Sequence, residues 1–199
     1  MDFSSVDMPI NQPLSGIAMH AFLALSAENR PEKIPLAIAR ATAHALLTDL
    51  CYLISAPEDG KVTCFDGFNR VKEEILSGIV LPIDQFPELS ECYNQKKALY
   101  YNNLDDLSEI TQKSIRILGQ VKPAPFCVTP IIAHNQTLLG ALLVISPYSG
   151  RTWTDNDITL LNAFGDSVSR ILQRVLDTAD LQEQVRQYEA QPQPPIDTS

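Results

Sequence analysis

Residues 126–176 read FCVTPIIAHNQTLLGALLVISPYSGRTWTDNDITLLNAFGDSVSRILQRVL. The segment parses as strand, tight turn, strand, short loop and long helix. Phe126 to Ala133 is β-branched and apolar, and His134-Asn135-Gln136 is a polar break. Thr137 to Ile145 is almost wholly apolar but too short to span a membrane. Pro147-Tyr148-Ser149-Gly150 is turn chemistry. Thr154 then caps a helix over 154–176, with Asp157 three residues on. This is a capping box, weakened because the acid is Asp and not Glu. The acidic first turn also suits the positive end of the helix dipole.

The second strand, 137–146, is apolar on both faces. Simple alternation points Leu139, Ala141, Leu143 and Ile145 one way and Leu138, Leu142 and Val144 the other, with Gly140 among the latter. A half-buried strand would alternate apolar and polar residues. This one is therefore expected mid-sheet, covered on both sides. Helix 154–176 covers one face. Whatever covers the other face is where a ligand pocket is expected.

The rest of the chain sets limits. Its 199 residues fit one domain with extensions, and a 45% hydrophobic content suffices for a full core. A net charge of −9 without any basic cluster argues against direct binding to nucleic acid or an anionic membrane. There is no apolar run of 18 residues. Asp2 and Asp7 precede Gly16–Leu25, the wrong charge order for a secretory signal. The expected location is cytoplasmic. Cys51, Cys64, Cys92 and Cys127 form no CxxC pair and no metal-ligand spacing with His20, His44 or His134. They read as buried thiols acting as small hydrophobes.

In order, residues 1–34 read as a mobile arm with a short helix over 17–27. Pro35 suits a first helical position, and 35–48 reads as a helix with an apolar stripe at Ile34, Ile38, Ala41 and Ala45. Leu50–Ala56 and Val62–Phe68 read as a hairpin about Pro57-Glu58-Asp59-Gly60. Asn69–Ser77 reads as one or two helical turns. Ile79–Ile83 reads as a shorter strand, and Pro82 places it at an edge or at a bulge. Short helices are expected within 84–97 and 107–118, with a brief strand at 98–101. Beyond Leu176 the helix can continue, and the tail after Ala190 is disordered by composition.

This order resembles the GAF domain, a small-molecule sensing fold. The specific match is VTPIIAHNQTLLGALLVIS followed by RTWTDNDITLLNAFGDSVSRIL, where Gly140, Trp153, Thr154, Asp157 and Leu161 sit as that family's pattern expects. The resemblance covers about residues 35–176, and its first two-thirds match in layout only. It departs at the hairpin turn, where the family usually carries Gly and this chain has His134-Asn135-Gln136. Asn135 is expected to supply the positive φ. The resemblance implies an α+β fold of three layers. A central antiparallel sheet of five to six strands carries the terminal helices on one face and a crossover of loops and short helices, over a pocket, on the other. It also implies a signalling role, commonly within a dimer. It does not imply a ligand, because the family has no shared ligand motif.

No catalytic constellation is present: no GxSxG, HExxH or glycine-rich phosphate loop. Some GAF-fold proteins reduce free methionine sulfoxide with clustered cysteines, but Cys92 is alone in the crossover. Bilin-binding relatives attach their chromophore at a cysteine usually followed by His, whereas Cys92 precedes Tyr93. The Asn-Lys…Phe…Asp-Glu signature of cyclic-nucleotide binders is missing. No metal site is expected, and the cofactor, if any, is unknown.

The candidate ligand-binding residues are Phe86, Tyr93, Tyr100, Phe126 and Val128, with Tyr101 nearby. An apolar pocket with a few polar tips is the usual build of a small-molecule site. The same aromatics could instead fill the core under the crossover. On helix 154–176, one stripe runs through Leu161, Phe164, Val168, Ile171 and Val175, and a second runs through Ile158, Leu161, Gly165, Val168, Leu172 and Val175. Together they are wider than one sheet contact needs. This predicts a parallel homodimer through helices 35–48 and 154–176, with Ile38, Ala41, Ala45, Phe164, Val168, Ile171 and Val175 at the interface. The alternative is that helix 35–48 absorbs the extra edge within one subunit. The expected function is a non-catalytic sensory or regulatory module in signal transduction. The alternatives are a ligand-free dimerisation scaffold and, more distantly, a small redox enzyme. A sensor needs an output domain and none fits here, so a fused or separate signalling partner is expected.

Overall fold

The computed structural model describes residues 28, 30–119 and 122–189. Eight strands form one antiparallel sheet: β1 Leu50–Ser55, β2 Lys61–Cys64, β3 Gly67–Asn69, β4 Glu74–Leu76, β5 Ile79–Pro82, β6 Leu99–Tyr101, β7 Phe126–Ile132 and β8 Leu138–Ile145. Among the described residues four α-helices accompany it: α1 Ile34–Leu46, α2 Pro87–Gln95, α3 Glu109–Gly119 and α4 Asp155–Glu189. The backbone order is β4-β3-β1-β8-β7-β6, with β2 also on β1 and β5 on β2. The arm and helix expected before residue 28, and the tail after residue 189, lie outside the described residues.

The sheet has more strands than expected for two local reasons. The predicted strand 62–68 breaks at Phe65-Asp66 into β2 and β3, which share one edge of β1 through Ile54↔Cys64 and Cys51↔Phe68. Asp66 there accepts the Gly78 N–H (2.8 Å) instead of continuing the ladder. Residues 69–77 are not helical. The Asn69 side chain accepts the N–H groups of Val71 and Lys72, an Asx turn that folds β4 back onto β3. β5 pairs only with β2, so Pro82 sits at an edge as its missing N–H requires.

Strand β8 is the centre, with β1 on one side and β7 on the other. Both its faces are buried, as the doubly apolar run implies. Its alternation is nevertheless broken. Ile131 pairs with Gly140 and Ile132 with Leu138, which leaves Leu139 as the extra residue of a β-bulge. Leu139 therefore joins Leu142 and Val144 under the long helices, while Leu138 joins Ala141, Leu143 and Ile145 on the opposite face. The simple period-two reading had these two leucines reversed. Glycine is required beside the bulge: a Cβ at Gly140 would lie 2.2 Å from the Ile54 carbonyl oxygen. In the β7–β8 turn the positive φ falls on Gln136 (67°), not Asn135, whose side chain accepts the Thr137 N–H.

Helices α1 and α4 cover one face. Ile38, Ala39 and Ala43 are fully buried, and the small stripe of α1 lets its backbone lie close to β1 and β3. From α4, Leu161, Phe164, Val168 and Ile171 enter the same core, beside Trp153. At about 1.5–3 kcal/mol per buried apolar side chain, these anchors outweigh helix propensity in holding α4 down. Helices α2 and α3 cover the other face, over Tyr52, Ile54, Phe126, Val128 and Leu143, and β6 extends the sheet beside β7.

Candidate functional site

The crossover face is assembled around Phe126 and Val128 of β7. Phe86 precedes Pro87, which starts α2 with its missing N–H at a position that needs none. The Phe86 ring meets Phe126 edge-on, with centroids 5.9 Å apart. Tyr101, the register partner of Phe126 on β6, stacks on the same ring at 5.1 Å. Tyr93, on α2, donates its hydroxyl proton to the Ser55 carbonyl (2.7 Å), which ties α2 to the end of β1. Tyr52 does the same for α3, donating to the Leu118 carbonyl (2.5 Å). The buried Glu88 carboxylate accepts the Ser108 N–H and the Thr111 hydroxyl, joining α2 to the first turn of α3.

Four of the five sequence-predicted binding residues thus come together: Phe86, Tyr93, Phe126 and Val128. Tyr100 does not join them. It pairs with Cys127 in register and shares the helix face with it. It is 41% exposed, and its hydroxyl donates to Asp155 of α4 (3.3 Å). That carboxylate raises the Tyr100 pKa. Strand periodicity carried the signal, because neighbours in a strand cannot share a face and Tyr101 is the one that meets Phe126. The cluster is tightly filled: Phe86, Leu89, Cys92, Ile115, Phe126 and Val128 are all fully buried. Burial pushes the Cys92 thiol up to about 12, and its hydrogen points to the Val128 carbonyl. A thiol held protonated at neutral pH is a poor nucleophile.

The seven residues expected at a dimer interface are spent elsewhere. Ile38, Ala41, Ala45, Phe164, Val168 and Ile171 are buried within one protomer, and Val175 is half-buried at the rim of that core. Helix α1 takes up the extra edge of α4, so the wide stripe serves intramolecular packing. Among the described side chains, the large apolar residues left exposed on α4 are Leu160, Leu176 and Leu181.

A sheet of this order, with its glycine-bearing central strand and capped terminal helix, matches the family model for the GAF domain over residues 35–173. The chain belongs to the GAF domain family. Solved structures share the fold at low identity. The GAF domain of a phosphoenolpyruvate-protein phosphotransferase from Coxiella burnetii has 13% identity and a TM-score of 0.66, covering 84% of this chain and 96% of that one. The GAF domain of an Acinetobacter phosphoenolpyruvate-protein phosphotransferase has 9% identity and a TM-score of 0.65, covering 86% and 99%. The chromophore-binding domain of a Stigmatella aurantiaca bacteriophytochrome has 11% identity and a TM-score of 0.64, covering 85% and 63%. The comparison with curated proteins finds no match. GAF domains are regulatory and sensory modules of signalling proteins, generally without catalysis of their own.

Within this GAF domain the Trp-Thr-x-x-Asp segment forms a complete capping box despite its shorter acid. Asp157 accepts the Thr154 N–H (3.0 Å) and hydroxyl (2.8 Å), and Thr154 accepts the Asp157 N–H. Arg151 bridges this box to α1, donating to Asp157 and to the Leu46 carbonyl. Its guanidinium also lies over the Trp153 ring. Open grooves flank α4. One of about 410 Å³ lies between Lys96–Ala98, Pro130 and Asn162. Another, of about 730 Å³, is bounded by the β7–β8 turn and by Arg170 and Arg174. Among the described residues no group of three or more His, Cys, Asp or Glu side chains could hold a metal ion. No described helix is long and apolar enough to cross a membrane.

Proposed function

We propose that this chain is a non-catalytic sensory or regulatory GAF module of a cytoplasmic signalling system. In this reading a small molecule with an apolar body enters the crossover face and displaces Tyr93, Tyr101 and Phe86 around Phe126. The observation that carries it is the asymmetry of the cover. Two short helices and a three-residue strand close the aromatic cluster, while a 35-residue helix leaves the other face. Among the described side chains, the last of α4 to pack on the core is Val175, and Leu176 and Leu181 beyond it are exposed. A projecting helix of about 14 residues is marginal alone in water. It fits a second copy of this chain or a fused or separate output protein. Net charge −9 disfavours nucleic acid and anionic membrane as partners.

One observation favours a second reading, a ligand-free dimerisation scaffold: the cluster is already filled by its own side chains. Native mass spectrometry separates the two, since it reports retained ligand and subunit number together. A dimer carrying extra mass, or a monomer stabilised by a metabolite in thermal-shift screening, supports the sensor. A bare dimer that no metabolite stabilises supports the scaffold. A bare monomer that no metabolite stabilises overturns both.

A further inference from the structure

We infer that β6 and the residue after it mechanically link the aromatic cluster to the start of the output helix. This deepens the sensory reading and rests on it. Three consecutive residues make the link. Tyr101 faces the crossover side, stacked on Phe126, and its hydroxyl donates to Glu91 of α2 (3.3 Å). Tyr100 faces the other way and donates to Asp155 in the first turn of α4. Asn102 then binds Trp153 reciprocally. Its side-chain amide donates to the Trp153 carbonyl (2.9 Å), and its side-chain oxygen accepts the Trp153 N–H (2.7 Å). This pair of bonds mimics a backbone bridge and fixes the residue that precedes the Thr154 cap.

The element carrying these contacts is short and lies at the sheet edge. β6 is an edge strand of three residues, paired only with β7 at Leu99↔Val128, Tyr100↔Cys127 and Tyr101↔Phe126. Short edge elements open at lower cost than central strands. A molecule that wedges Tyr101 off Phe126 must shift β6, and Asn102 and Tyr100 then pull on Trp153 and Asp155. No rearrangement of β1, β7 or β8 is needed. The alternative route, straight through β7, would have to deform the best-packed strand pair in the sheet.

The chain supplies its own reporter. Trp153 is the single tryptophan and is 2% exposed, so fluorescence excited selectively at tryptophan, beyond the absorption of the six tyrosines, reads this junction. The experiment uses the full chain with Y101L, N102A and the double variant, each checked for folding by circular dichroism. Acrylamide quenching of Trp153 is the readout. Y101L, which touches only the crossover side, is expected to raise the quenching constant about twofold, the low end of coupling between residues in one network. In the N102A background, where only the Tyr100 bond to Asp155 remains, the same change should add clearly less. Val62→Ala, a core truncation in β2 remote from β6, should leave Trp153 unchanged. Equal increments of Y101L in both backgrounds, or a response to Val62→Ala as large as to Y101L, would overturn the linkage. Should Y101L not fold, Tyr101→Phe removes only the bond to Glu91 and should give a smaller change of the same sign; no change overturns the linkage. The outcome is independent of ligand. A positive cycle with no stabilising metabolite rejects the sensor and keeps the linkage, and a stabilising metabolite with a flat cycle does the reverse.

Discussion

The two faces of one sheet are closed by different physics. On the helix face, α1 and α4 lay down continuous apolar stripes, and contact area does most of the holding. On the crossover face, short elements are tied individually. Tyr93 holds α2 to Ser55, Tyr52 holds α3 to Leu118, and Ser114 donates to the Gln85 carbonyl (2.7 Å). Area-held cover is cooperative and stiff. Tethered cover can be released piece by piece, which is what a site that admits a ligand requires.

The largest test of this contrast is truncation of each core. Phe126→Ala should cost about 3–5 kcal/mol and Leu161→Ala about 2–5 kcal/mol in urea unfolding. The informative readout is native-state hydrogen exchange. Phe126→Ala should speed exchange in α2, β6 and α3 selectively, whereas Leu161→Ala should speed it across the whole domain. A uniform response to both would erase the distinction between the faces.

Next in size is a pH effect shared by the buried thiols of both faces, since burial also raises Cys51 and Cys127 under the long helices. Burial raises the thiols of Cys64 and Cys92 from the ordinary 9.0 to about 12. Below pH 9 both thiols are protonated, folded or unfolded, and stability should not depend on them. Above it the unfolded chain loses protons that the folded chain keeps, so stability falls by about 1.4 kcal/mol per pH unit for each thiol until about pH 12. Urea midpoints at pH 8 and pH 10, compared with those of Cys92→Ala, measure the share of one thiol. An unchanged slope in that variant would remove Cys92 from the account.

The smallest test concerns single polar contacts. Tyr93→Phe should cost about 0.5–1.5 kcal/mol through the lost bond to Ser55. Thr154→Ala should cost about 1 kcal/mol through the lost cap. The two should differ in where they act. Tyr93→Phe frees α2 locally, and Thr154→Ala frays α4 from its first turn. Hydrogen exchange in these two helices would sharpen the comparison or collapse it.

The same contrast explains what could be read in advance. Helices α1 and α4 show a 3.6-residue period because each presents one continuous stripe to a sheet, and β8 shows no alternation because both its faces are covered. The missing donor of Pro82 left an edge or a bulge, and the pairing of β5 with β2 alone makes it an edge. Other features depended on contacts distant in sequence. The break at Phe65-Asp66 answers to Gly78. The bulge at Leu139 that exchanges the faces of two leucines depends on how closely Ile54 approaches Gly140. The wide stripe of α4 invited a partner, and only the position of α1 shows that the partner lies in the same chain. Tyr100 was grouped with the aromatics of the site because composition was weighed above strand parity.

Helix α4 also has a length. At 35 residues it spans about 52 Å. A tilt of about 5° imposed at its first turn would carry Glu189 through about 4.5 Å, on the order of one helical pitch. A tilt is a sideways swing, so an adjustment beside Trp153 that turned the helix as one body would be read at its far end as a lateral displacement, large enough for whatever grips the helix there to distinguish two positions.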